Sequence, residues 1–195
     1  MQFPQVEMDV FETILARRSI RSYTTREVPR KKILALLEAA IRAPTAMHEE
    51  PWAFVIIQDR ELLRDLSDRA KPLFIEQVQR SGHDIEAFHS LEFNLFYDAG
   101  TLIIICAEPT GPFVAADCWL AAENLMLAAC AMSMGTCVIG AALPALNIPE
   151  VKAKLGIMDK FAAVVPIIIG YPSGETAPST RKAPLILNSL SRTAS

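Results

Sequence analysis

Four short stretches of this chain concentrate groups able to bind or react. The first is Arg17-Arg18-Ser19-Ile20-Arg21. Its guanidiniums and hydroxyl offer forked, charge-assisted donors plus a neutral one, the set that a phosphate monoester accepts. The same run also reads as a solvated helix end, with its cations facing the negative pole of the helix dipole. The second is the loop Pro44-Thr45-Ala46-Met47-His48-Glu49-Glu50-Pro51-Trp52. It gathers a hydroxyl, an imidazole and carboxylates between a helix and a strand, where functional loops often sit. The third is Gly135-Thr136-Cys137-Val138-Ile139-Gly140, whose glycines let backbone approach a flat ligand closely. A helix C-cap accounts for Gly135 equally well. The fourth is Arg181-Lys182 in an otherwise neutral tail, which on its own also reads as a solvated pair.

Other chemistries find no support. His48 has no second His at ligand spacing, and His83 and His89 belong to a separate polar stretch, so no metal is expected. There is no GxSxG, HExxH or P-loop. Cys106, Cys118, Cys130 and Cys137 form no CxxC and none adjoins a His. They read as small buried hydrophobes, not as nucleophiles or disulfide partners.

The elements that must position these groups follow from pattern. Residues 9–16 read as a short helix running into the basic stretch. A second helix begins near Pro29, a residue suited to a helix start. Its apolar residues Ile33, Leu36, Leu37, Ala40 and Ile41 recur at helical spacing. It must end before Pro44, leaving 43–51 as a loop. Trp52–Gln58 reads as a buried strand, 60–70 as a polar helix, and 71–97 as mostly helical, broken at Gly82, a candidate cover for a site. Thr101–Ala107 is a second buried strand. Phe113–Met134 is apolar nearly all round, so it should be the central buried helix. Met134-Gly135-Thr136 stops it, and 137–140 begins a short strand or loop. A helix is expected over 149–155, then a third strand over Ala162–Gly170, where Pro166 implies an edge or a bulge. The tail 173–195 is too polar to fold alone, and its Pro184-Leu185-Ile186-Leu187 patch needs a neighbouring surface.

Helices and strands mix without βαβ alternation, which favours an α+β fold. The 195 residues, 51% apolar and 21% charged, suit one domain over 1–195 and exclude disorder. A net charge of −3 lacks the footprint of a general nucleic-acid binder. The N-terminus lacks the signal-peptide pattern, so a cytoplasmic location is expected. Leu125–Pro149 carries no charge, and outruns the roughly 20 residues of a spanning helix. Ser133, Gly135, Thr136, Gly140 and Pro144 interrupt it and no basic cluster flanks it, so no membrane span is expected. The apolar helix and the apolar tail both want more burial than a monomer easily supplies, so an oligomer is expected.

Taken in order, these stretches resemble the nitroreductase family of FMN-dependent oxidoreductases. RRSIRSY at 17–23, APTAMHEEPWAFVI at 43–56, AENLMLAACAMSMGTCVIGA at 122–141, IGYP at 169–172 and RKAPL at 181–185 carry the likeness. The resemblance implies an α+β, nitroreductase-like homodimer: a mainly antiparallel sheet flanked by helices, intertwined through a C-terminal tail that embraces the partner. Two FMN sites would lie at the dimer interface. Arg17, Arg18, Ser19 and Arg21 would hold the FMN phosphate and ribityl chain or the nearby flavin edge. Arg181, with Lys182, would close over the phosphate from the tail. Pro44, Thr45, Ala46 and Met47 would approach the flavin from the partner subunit, Thr45 standing where the family usually has Ser. Backbone at Ile139 and Gly140 would lie beside the isoalloxazine, with an amide near N5.

Two departures stand out: His48 where Asn is frequent and Glu50 where Gln is. Both keep hydrogen-bonding ability and add titratable groups, and an ionised carboxylate there would lower the flavin's potential. The implied activity is ping-pong hydride transfer through N5, from NAD(P)H to small acceptors such as nitroaromatics or quinones, with no essential side-chain acid. Reductive dehalogenation, flavin fragmentation and non-enzymatic flavin binding are alternatives within the same fold, and a flavin-free scaffold is the plainest.

Overall fold

The computed structural model describes residues 8–80, 93–177 and 180–190. Gly82, His83 and His89, and with them the expected helix break, lie outside the described residues.

Helix α1 (Val10–Ala16) begins at a capping box, in which the Asp9 carboxylate accepts from the Glu12 N–H and the Glu12 carboxylate from the Asp9 N–H, each at 2.9 Å. Pro29 sits just outside α2 (Arg30–Ala40), and its carbonyl accepts the first N–H bonds. The expected stripe is buried at Ile33, Leu36 and Ala40. The chain continues through β1 (Trp52–Ile57), α3 (Arg60–Arg80), β2 (Thr101–Ala107) and α4 (Val114–Ala131). It ends with β3 (Gly135–Val138), α5 (Leu143–Leu146), α6 (Pro149–Lys154) and β4 (Ala162–Gly170).

The sheet has the order β1-β2-β4-β3 with every pairing antiparallel, the α+β architecture expected. Strand β2 is buried throughout. Ile103, Ile105 and Ala107 pack with Ile33 and Leu36 of α2 and Leu125 of α4. Leu102, Ile104 and Cys106 join Leu63 and Leu66 of α3, Leu146 of α5 and Val151 of α6. Alternation along a strand thus gives the sheet two apolar faces, each covered by helices.

Several expectations change. β1 is a half-buried edge strand in which only Ile57 is buried. The split at residue 70 is absent, because α3 runs through Pro72 to Arg80. Pro72 and Asp68 are exposed, so the carbonyl that Pro72 leaves unbonded lies on the solvent side. Residues 94–98 form a turn instead of a helix. There the Asn94 side chain accepts from the Phe96 N–H at 2.8 Å, and Tyr97 and Asp98 take positive φ of 51° and 54°.

Pro166 is not on an edge strand, since β4 pairs on both sides. Its missing N–H falls where the β3 ladder ends, beside the Ile139 N–H that donates to the Pro166 carbonyl at 2.9 Å. The expected bulge is present nearby. Register passes from Ile105↔Val165 to Cys106↔Ala163 and leaves Val164 without a partner.

Candidate functional site

Residues 19–24 lie along the sheet as an added edge. Ser19 bridges Thr136 and Tyr23 bridges Pro172. The Ile20 N–H donates to the Thr136 carbonyl at 2.9 Å, and the Thr24 N–H to Tyr171 at 2.9 Å. Glycine makes this approach possible: a Cβ on Gly135 would meet the Ile20 side chain at 2.6 Å, and one on Gly170 the Tyr23 ring at 2.7 Å. Gly135 is therefore not the helix cap. Ser133 takes the left-handed position (φ 58°), with Met134 N–H donating to Ala129 at 2.8 Å and Ser133 N–H to Cys130 at 3.0 Å. That pair of bonds is a Schellman motif.

The structure divides the basic cluster. Arg17 Nε is 3.1 Å from the Glu123 carboxylate of α4. Arg18 donates to the carbonyls of Leu15 and Arg17, so it serves the end of α1 as the plainer reading expected. Both line a cavity of about 430 Å³ shared with Ile20, Cys130, Gly135 and Thr136. Ser19 and Arg21 are exposed, and the Arg21 guanidinium lies 5.9 Å from the Tyr97 ring centroid. Burial pushes the Cys137 thiol up, with Arg21 and a Ser19 hydrogen bond opposing it. Burial also pushes the Tyr23 phenol above its usual value, and its hydroxyl donates to the Ile20 carbonyl at 2.6 Å. Cys106 and Cys118 are pushed up to about 11, chiefly by burial.

The second stretch is a strained loop. Thr45 is extended, and Ala46–His48 make one 3₁₀ turn. Met47, His48 and Glu50 have φ of 57°, 57° and 44°, in the left-handed region that side chains with a Cβ avoid. Pro44, Met47, His48 and Glu50 are exposed. The Ala46 N–H ties the loop to the core, pointing at both carboxylate oxygens of Asp117 on α4, at 3.2 and 3.3 Å. Asp117 was not among the residues singled out from sequence. Its signal is a lone carboxylate inside the apolar run 113–122.

Ile139 is buried with its N–H committed to Pro166, whereas Gly140 is exposed and opens a 3₁₀ turn (Gly140–Ala142). A Cβ on Gly140 would meet nothing within 4 Å, so the backbone there is open to an approaching ligand. Arg181 and Lys182 belong to an exposed tail in which Arg181 donates to the Thr180 carbonyl at 3.4 Å. Among the described residues, no hydrogen bond or ion pair joins that pair to the Arg17–Arg21 segment. The described residues hold no cluster of three metal-ligating side chains. α4 is long and apolar enough to cross a membrane, but it packs in the core of this fold.

The sequence pattern of the nitroreductase family matches residues 14–171. The chain is similar to a protein of Methanothermobacter thermautotrophicus provisionally named NADH dehydrogenase/NAD(P)H nitroreductase. The two are 31% identical over 90% of this chain and 82% of that one. Similarity also extends to human iodotyrosine deiodinase 1, at 24% identity over 94% of this chain and 70% of the other. Among solved structures, a nitroreductase with bound FMN from Bacteroides fragilis superposes with a TM-score of 0.79 at 29% identity, covering 95% of this chain and all of that one. Sequence match and shared architecture agree: the chain belongs to the nitroreductase family.

Proposed function

We propose that the protein is an FMN-dependent oxidoreductase that takes electrons from NAD(P)H and passes them to small acceptors such as nitroaromatics or quinones, working as a homodimer. The observation that carries this reading is the basic segment laid along the β3 edge by Gly135, with Ser19 and Arg21 exposed beside it. The donor chemistry fits a phosphate monoester: Arg21 offers an exposed guanidinium fork, beside the Cys137 thiol and the Tyr97 ring, and Ser19 a neutral hydroxyl. Among the described residues Arg17 is held by a partly exposed ion pair, which contributes at most about 1 kcal/mol, so an exchange of Glu123 for a phosphate costs little. Arg18 would stay on the end of α1 and contribute charge. Gly140 gives open backbone for a flat ring. Pro44, Thr45, Ala46, Met47, His48 and Glu50 would face that ring from a second copy, with Arg181 and Lys182 brought in by the tail.

When bound, FMN supplies the two-electron chemistry, while this chain binds, orients and shields. The exposed loop leaves room for a donor and an acceptor to occupy one place in turn. Solvent can then provide protons without a dedicated side-chain acid.

The test is the absorbance spectrum of the purified protein, with the chromophore released by acid and identified, followed by NAD(P)H oxidation with an added acceptor. A yellow protein that turns over donor and acceptor supports the proposal. A yellow protein with no turnover favours a flavin-binding role, and one that stays colourless with added FMN sinks the reading. Similarity to a deiodinase favours reductive dehalogenation as a second reading, tested by iodide release from iodotyrosine.

A further inference from the structure

Asp117 is 3% exposed, within the first turn of α4 and inside an apolar cluster. A buried carboxylate is costly to hold unless paired or hydrogen-bonded. Among the described residues no cation pairs with it; what faces it is the Ala46 N–H, at 3.2 and 3.3 Å to its two oxygens. The positive end of α4 favours the charge at that place. The contact spans 71 residues and reaches the loop in which Met47, His48 and Glu50 hold left-handed backbone. Such strain persists only where the surroundings over-determine it. A carboxylate needed only as a first-turn charge would sit at the surface, where most such residues are.

We propose that Asp117 is a positioning residue: through the Ala46 N–H it fixes the strained 44–50 loop in the shape that faces the flavin. The part concerning flavin rests on the function proposed above; the part concerning the loop does not.

The test compares Asp117→Asn, which keeps an acceptor oxygen, with Asp117→Leu, which fills the same buried space without one. Hydrogen exchange is read without added flavin on peptides covering 44–50 and, as a control, 101–107 in β2, and FMN dissociation constants are measured alongside. The expected result for the Leu variant is at least tenfold faster exchange in 44–50, unchanged protection of β2, and FMN binding weakened about tenfold. The Asn variant should stay within about threefold of the parent in each. Unchanged loop exchange in a folded Leu variant overturns the proposal.

Should the Leu variant not fold, Ala46→Pro decides. It deletes the donor at a position whose predecessor is already extended, as proline requires. Faster exchange over 47–50 with β2 intact supports the proposal, and parent-like exchange overturns it. A parent protein that binds no FMN would sink the flavin reading while leaving the loop comparison to stand or fall on its own.

Discussion

Gly135 is a residue whose missing side chain does the positioning. Its Cβ would sit 2.6 Å from Ile20, so Gly135→Ala must push the basic segment off β3. The expected cost is about 1–3 kcal/mol, seen as a Tm lowered by several degrees together with weaker FMN retention. An unchanged Tm would show that the segment moves freely. At Arg21, replacement by Ala would remove the proposed charge-assisted phosphate contact, worth about 1.5–3 kcal/mol. FMN binding should weaken more than tenfold; equal affinity would detach Arg21 from the site. The thiols make a separate prediction. With Cys106 and Cys118 pushed up to about 11 by burial, neither should be alkylated by iodoacetamide in the native protein at pH 8, as peptide mapping would read. The basic run and Thr45 stood out as candidates because their types cluster in sequence. Asp117 and Tyr97 were not, since each acts singly on a partner many residues away.

Among the elements, β2 and β4 are found with the bounds that sequence implied, because an unbroken apolar run has one place to go in a covered sheet. α3 was harder to read, since Pro72 is a breaker only where its lost bond is buried. α5 was not anticipated, being a single short turn following a glycine-led one. The start of β3 was hidden because the glycine that begins it resembles a cap. α3 and α6 are tied together at Asp65, which bonds Lys154 at 2.9 Å and Arg69 at 3.1 Å. Those bonds lower its carboxyl below the usual Asp range. A lowered folded value stabilises above the ordinary Asp pKa, and the benefit is lost as pH falls through the folded value. Urea unfolding should therefore show Asp65→Asn less stable than the parent at pH 7. The gap should close in strongly acid buffer, and a gap independent of pH would place the effect elsewhere.

For the whole molecule, the apolar surface left open is considerable. Leu185 and Leu187 are 86% and 90% exposed, and Phe11, Leu15, Trp119 and Leu120 are exposed on α1 and α4. Patches of this kind mark contact surfaces, which supports the proposed homodimer with an exchanged tail. Leu185→Asp combined with Leu187→Asp should shift sedimentation from two copies toward one and release FMN. A double variant that stays dimeric and yellow would remove the tail from the assembly. The excess of apolar residues carried the expectation of a partner, but not which faces would meet, since hydropathy carries no direction.

The edge made by residues 19–24 also imposes an order in time. Ser22 and Thr24 are held by Ser173 and Tyr171, and Ser19 by Thr136, so a segment near the beginning of the chain docks on strands synthesised much later. Contacts of such wide separation close slowly and late in folding. During synthesis the arginines emerge first and wait, without a surface to lie on, until β3 and the end of β4 have left the ribosome. On the function proposed above, cofactor capture would wait for β3 and β4, and a nascent chain lacking them carries the basic segment without the edge it lies on.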